Sequence, residues 1–144
     1  MIVSQILKSK DSVGVVSVKP NDTVTEAVKR LSEKRIGTVV VSADGASLDG
    51  ILSERDIVRE MGKRGVACLN EPVSEIMTAN LITCAPSHSA LEVLEMMTEG
   101  RFRHMPVLDE GKMVGLISIG DAVKARIAEL AMEKDALEGM IMGH

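Results

Sequence analysis

Apolar residues recur at positions 24, 27, 28 and 31, and again at 90, 93, 94 and 97. Each set marks one face of an amphipathic helix. Thr23-x-x-Glu26 opens the first helix and Ser89-x-x-Glu92 the second. This is the capping-box pattern: the hydroxyl accepts from a first-turn N–H and the Glu reaches back. A short apolar run precedes each helix, Val13–Val18 and Leu81–Cys84, and each predicts a strand leading into a turn with Pro20 or Pro86. Two more predicted strands follow each helix: Val39–Ser42 with Leu48–Ser53, and Met105–Leu108 with Met113–Ser118. Their turns, Ala43-Asp44-Gly45 and Asp109-Glu110-Gly111, carry the glycine that a positive φ favours. A further helix begins near Glu54 and another near Gly120.

The pattern is an internal repeat. Pro20 falls on Pro86, Glu26 on Glu92, Glu33 on Glu99, Arg35 on Arg101, Val41 on Val107 and Gly45 on Gly111, all 66 positions apart. One residue then drops out. Gly50 falls on Gly115, Ser53 on Ser118, Asp56 on Asp121 and Val58 on Val123, all 65 apart. The deletion lies in the segment after Gly45, where a turn tolerates a change of length.

Each half therefore reads β-α-β-β-α and is too small to bury an adequate core by itself. The expected fold is α/β (α+β): two tandem repeats packed sheet to sheet with pseudo-twofold symmetry, plus a C-terminal helix. Residues 1–71 hold the first repeat with an N-terminal segment and linker, 72–128 the second repeat, and 129–144 the helical extension. The linker, about Gly62–Glu71, is polar, and Val73–Thr78 is expected to be a short helix. Ala122–Met142 reads as a long helix with Ile127, Leu130, Ala131, Leu137 and Ile141 on or near one face.

Composition narrows the chemistry. Of 144 residues, 45% are hydrophobic, yet there is one Phe and no Tyr or Trp. The core must be aliphatic, with ten Met to make it deformable. The lack of stacking aromatics and a net charge of −4 argue against nucleic acid. Cys68 and Cys84 lack the spacing of a zinc site and are expected to be buried, reduced thiols. No apolar run reaches the roughly 20 residues of a membrane span. The N-terminal MIVSQILKSKDS is too short and too interrupted by Lys for a signal peptide. A cytoplasmic protein with no membrane partner is expected.

With these elements in place, the sequence resembles the CBS-domain family over nearly its whole length. Val73-Ser74-Glu75-Ile76-Met77-Thr78 is similar to the segment that opens a second CBS repeat. Arg101-Phe102-Arg103-His104-Met105-Pro106-Val107-Leu108-Asp109 is similar to the family's Arg-His-hydrophobic-Pro-Val strand. Gly50-Ile51-Leu52-Ser53-Glu54-Arg55-Asp56 and Gly115-Leu116-Ile117-Ser118-Ile119-Gly120-Asp121 resemble its Gly-x-x-Ser/Thr-x-x-Asp signature. The resemblance implies a stand-alone regulatory pair that binds an adenosine ligand in clefts between its repeats. AMP is the first candidate, then ATP, ADP or NAD, with S-adenosyl compounds also known in the family. It also implies a homodimer, a flat disc of two pairs, and an effector protein that reads the bound state.

Within that frame the residues take roles. An ionised carboxylate can accept from both hydroxyls of a ribose, which suits Asp56 and Asp121. Taken singly, each is equally explained as a first-turn acid favoured by the helix dipole; the repetition of Ser-x-x-Asp in both halves favours the ribose role. Ser53 and Ser118 are N-caps at helix starts where phosphate can also bind. Arg103 and His104 stand where the family places phosphate-contacting basic residues. The first repeat has Gly37-Thr38 instead, with Arg55 as a partial substitute, so the two clefts should differ. Arg59 and Lys124 hold equivalent helix positions and read as a solvated face. Adenine is assigned to Ser17, Thr38, Val39, Thr83, Met105 and Pro106. The family carries Thr at the Thr83 position, and Ser17 departs from it mildly.

The sequence lacks a nucleophile–base–orienter set, a P-loop and a metal cluster, so a non-enzyme with no catalytic cofactor is expected. The alternative is a dimeric interaction scaffold whose clefts are vestigial.

Overall fold

The structure, a computed structural model, describes residues 1–10 and 15–142. The helices are α1 (Val3–Ser9), α2 (Val24–Lys34), α3 (Glu54–Arg64), α4 (Ala90–Gly100) and α5 (Ile119–Ile141). The strands are β1 (Ser17–Val18), β2 (Thr38–Val41), β3 (Gly50–Ser53), β4 (His104–Asp109) and β5 (Lys112–Ser118). Parallel β1–β2 and antiparallel β2–β3 make one sheet, and β4–β5 make another.

The chain forms two compact units that cut across the repeat order. One holds Val13–Ile82 with the hairpin tip Leu108–Gly115. The other holds Met1–Ser12, Thr83–Val107 and Leu116–His144. In the first, Val24, Ala27 and Leu31 of α2 are buried with Val39, Val41, Leu52 and Ile57. In the second, Ala90, Val93 and Met97 of α4 are buried with Met105, Val107, Ile117 and Ala122, and α1 adds Val3 and Ile6. Of each predicted four-residue stripe, three positions face a core. Of the remaining two, Leu94 packs at the margin of its core and Val28 is exposed. Both cores are aliphatic, and Phe102 packs against the second. Cys68 and Cys84 are buried free thiols, and burial pushes Cys84 up to about 11.

Arg35 and Arg101 end α2 and α4 in the left-handed region, with φ of 54° and 56°. The next N–H in each case reaches back five residues, Ile36 to Leu31 and Phe102 to Met97. This 6→1 bond satisfies a carbonyl at the helix end. Gly45 and Gly111 have φ of 82° and 79°, as their turns predict.

Several expectations are corrected. The Leu81–Cys84 strand reduces to one parallel bridge, Cys84 to Val107. In the first repeat the described strand is Ser17–Val18, while Val13 and Gly14 lie outside the described residues. Ser89 and Glu92 form a full capping box, but at Thr23 the hydroxyl bond to the Glu26 N–H forms without the return bond. The Val73–Thr78 helix is a 3-10 turn at Val73–Glu75. The linker contains the end of α3 and a 3-10 turn, Val66–Asn70, that buries Cys68. The long helix read over Ala122–Met142 is present, running unbroken as α5 from Ile119 to Ile141.

The repeated glycine before each Ser has a packing reason in the first half. Ile51 and Thr78 exchange both backbone hydrogen bonds. A Cβ on Gly50 would lie 2.8 Å from the Thr78 carbonyl oxygen and 2.7 Å from the Met77 sulfur. The backbone oxygen cannot step aside without breaking that bridge. Gly50→Ala is expected to cost about 1–3 kcal/mol, measured as a lower urea midpoint at an unchanged m-value.

Candidate functional site

Each hairpin ends in a Ser that caps the helix after it. Ser53 Oγ accepts from the Asp56 N–H at 3.2 Å. Asp56 Oδ2 accepts in return from the Ser53 N–H at 2.9 Å and from its hydroxyl at 3.0 Å. In the other half, Ser118 Oγ accepts from the Asp121 N–H at 3.1 Å, and Asp121 Oδ2 accepts from the Ser118 N–H at 2.9 Å. Both are complete capping boxes. Each carboxylate therefore has a structural role through one oxygen.

A second bond ties each helix start to the strand beside it. The Glu54 N–H donates to the Gly37 carbonyl at 2.9 Å, and the Ile119 N–H donates to the Arg103 carbonyl at 2.8 Å. Each satisfies one of the four N–H groups that a helix start leaves unpaired. Thr38 then lies directly opposite Ser53 in the β2–β3 ladder, and Ser17 pairs with Val40 on the other side of β2. Ser17, Thr38, Ser53 and Asp56 are thus carried by neighbouring strands and the helix they feed. In the second half, the Cys84 N–H donates to the Pro106 carbonyl at 3.0 Å. That places Thr83 beside β4, which carries His104 and Pro106. Arg55 and Arg103 are exposed.

The side chains of Val39 and Met105 are fully buried in the cores. Pleating turns both side chains inward, toward the cores. Pro106 is buried as well.

The two carboxylates meet different cations. Asp56 is 7% exposed and pairs with Arg59 of its own helix through Oδ1. Arg59 is therefore more than a solvated face, and its i,i+3 spacing from Asp56 was the available sequence signal. Asp121 pairs instead with Lys10, whose Nζ lies 2.8 Å from Oδ2 and also donates to the Leu116 carbonyl at 3.0 Å. Lys124, the counterpart of Arg59, makes no ion pair among the described residues. Nothing local in the sequence points to Lys10, because the pairing depends on how α1 docks. The Val3 and Ser4 N–H groups donate to the His88 and Pro86 carbonyls. The N-terminal amine lies 2.9 Å from Glu129. Burial raises the Asp121 carboxyl, but the Lys10 ammonium and the Ser118 donors outweigh it and hold the group below the usual carboxylate range.

A groove of about 500 Å³ lies between α2 and α3, lined in part by Val28, Leu31, Arg35, Gly37, Glu54 and Val58. It contains no sequence-predicted site residue. Among the described residues no group of three or more His, Cys, Asp or Glu is placed to hold a metal, and no helix is long and apolar enough to cross a membrane.

The doubled hairpin–Ser–x–x–Asp arrangement is that of a tandem-repeat module, and comparison with known proteins identifies the family. The CBS domain family matches twice, over residues 3–63 and 73–128. This chain belongs to the CBS-domain family and carries two CBS repeats. It is 35% identical over 148 aligned residues to the mitochondrial CBS domain-containing protein CBSX3 of Arabidopsis thaliana, covering 98% of this chain and 72% of that protein. A protein with CBS domains from Burkholderia ambifaria has a solved structure that matches with a TM-score of 0.81 at 45% identity. The match covers 89% of this chain and 95% of that one. A CBS domain protein from Pyrobaculum aerophilum, solved in complex with AMP, matches with a TM-score of 0.73 at 27% identity, over 84% of this chain and 89% of that one.

The lowered Asp121 value has a pH consequence. The folded pKa is below the unfolded one, so this group's stabilising contribution is fully present above about pH 4 and is lost as the pH falls through the folded value. Urea midpoints should decline between about pH 5 and pH 3, and Asp121→Asn should flatten that decline.

Proposed function

We propose that this protein is a non-catalytic regulatory module that binds an adenine nucleotide at sites built on its two Ser-x-x-Asp junctions, with AMP the first candidate and ATP, ADP or NAD next. One observation carries the proposal: Asp121 keeps Oδ1 clear of donors among the described residues, while its Oδ2 is fixed by the Ser118 N–H. A carboxylate so oriented can accept a ribose hydroxyl without dismantling the helix cap. Ser118 and Ser53 supply helix starts for phosphate, with Arg103 and His104 in one half and Arg55 in the other. Thr83, Thr38 and Ser17, together with backbone edges of the strands, read the adenine. The AMP complex of the Pyrobaculum aerophilum relative supports the ligand class. Nucleotide occupancy alters the module's equilibrium between states of different affinity, and an effector protein in the cytoplasm reads that change.

A homodimer completes the reading. On α5, Ile127, Leu130, Leu137 and Ile141 are 62%, 47%, 59% and 83% exposed. Their alternating three- and four-residue spacing, with Lys134 in the remaining heptad position, suits the same helix of a second copy. Light scattering should give a dimer mass, and Ile127→Lys with Leu137→Lys should give a monomer. A monomeric parent protein would remove the dimer from the proposal.

Calorimetry and thermal shift test the ligand. AMP at 100 times its dissociation constant should stabilise the protein by roughly 2.7 kcal/mol, and Asp121→Ala should abolish most of that gain. No heat or shift with AMP, ADP, ATP or NAD would favour the interaction scaffold.

A further inference from the structure

We propose that Lys10, the residue that caps the end of α1, is a specificity-determining residue of the Asp121 site, selecting phosphate-bearing adenosine ligands over uncharged ones; this rests on the nucleotide reading above. The starting point is the difference between the two carboxylates. Asp56 has both oxygens engaged, Oδ2 by Ser53 and Oδ1 by Arg59. Asp121 has both its donors, the Ser118 N–H and Lys10 Nζ, on Oδ2. The Lys10 ammonium has three N–H groups. Two are spent, on Asp121 at 2.8 Å and on the Leu116 carbonyl at 3.0 Å.

The pair therefore presents an acceptor oxygen and a charged donor side by side. A nucleotide offers the complement, ribose hydroxyls that donate and phosphate oxygens that accept. Lys10 also cancels the charge of Asp121, which would otherwise repel a phosphate close by. With one charge neutralised, the phosphate meets Arg103 without that opposing field. Lys10 is 38% exposed, which leaves its head accessible to a ligand. It is nevertheless held in place, because α1 buries Val3 and Ile6 in the core and bonds through Val3 and Ser4 to the turn after Cys84. Among the described residues, no cation from outside α3 pairs with Asp56 in the first half. Arg59 there is tied to Asp56 from within α3.

The test measures AMP and adenosine binding by calorimetry on the full chain and on Lys10→Met, with Lys10→Arg as the charge-retaining control. Removing a unit charge a few ångströms from the phosphate should weaken AMP by about tenfold. Adenosine should change by less than about threefold, so the AMP-to-adenosine ratio falls, and Lys10→Arg should restore most of it. An unchanged ratio in Lys10→Met, or tighter AMP binding, overturns the assignment; tighter binding would make Lys10 a competitor for the carboxylate. If the parent protein binds AMP and Lys10→Met leaves the ratio alone, the role of Lys10 fails and the nucleotide reading stands. If the parent protein binds none of adenosine, AMP, ADP, ATP and NAD, the nucleotide reading itself fails. A matched thermal midpoint for Lys10→Met and the parent shows that α1 remains docked.

Discussion

The strand-to-helix junction is the constraint on which each half depends. A helix start leaves four N–H groups without partners, and here they lie next to a sheet edge. The protein meets that demand twice in the same way. A Ser hydroxyl and an Asp carboxylate cap each other's backbone, and the carbonyl of the residue just before β2 or β4 takes one more N–H. Because these bonds fix both the hairpin end and the helix, they also fix where the carboxylate points. A ligand site built here inherits a rigid acid at no further ordering cost. Asp121 keeps one oxygen for the proposed ribose contact, whereas Ser53 and Arg59 engage both oxygens of Asp56.

The aliphatic cores shape the rest. Without Tyr or Trp, the buried volume is filled by Val, Ile, Leu, Ala and Met, packed between short strands and two helices in each half. Short strands give few ladder bonds, so single positions matter. Gly50 lets Thr78 pair with Ile51. The same packing withdraws the side chains of Val39 and Met105 from the surface.

The repeats have diverged in charge more than in backbone. A nearly buried carboxylate needs a counter-charge, and Asp56 finds it three residues along its own helix. Asp121 has Lys124 at the matching place but takes Lys10 from the far end of the chain. One junction is electrostatically self-contained. The other depends on α1 being docked, so the state of the N-terminal helix and the state of that carboxylate are coupled.

Periodicity was enough to place both amphipathic helices, both hairpins with their glycine turns, and the duplication that relates Ser53-x-x-Asp56 to Ser118-x-x-Asp121. These depend on local bonding between residues three or four apart, or across a tight turn, and the chain spells that out directly. The CBS resemblance was legible for the same reason, since its motifs are those junctions. What tertiary structure alone decided were the contacts between distant segments. The Leu81–Cys84 run had the composition of a strand, but it meets β4 at a single bridge. Val39 and Met105 had the composition of a binding wall, but pleat direction sends them into the cores. Lys10 carried no signal at all, because a lysine gains meaning only from the acid that folding brings to it.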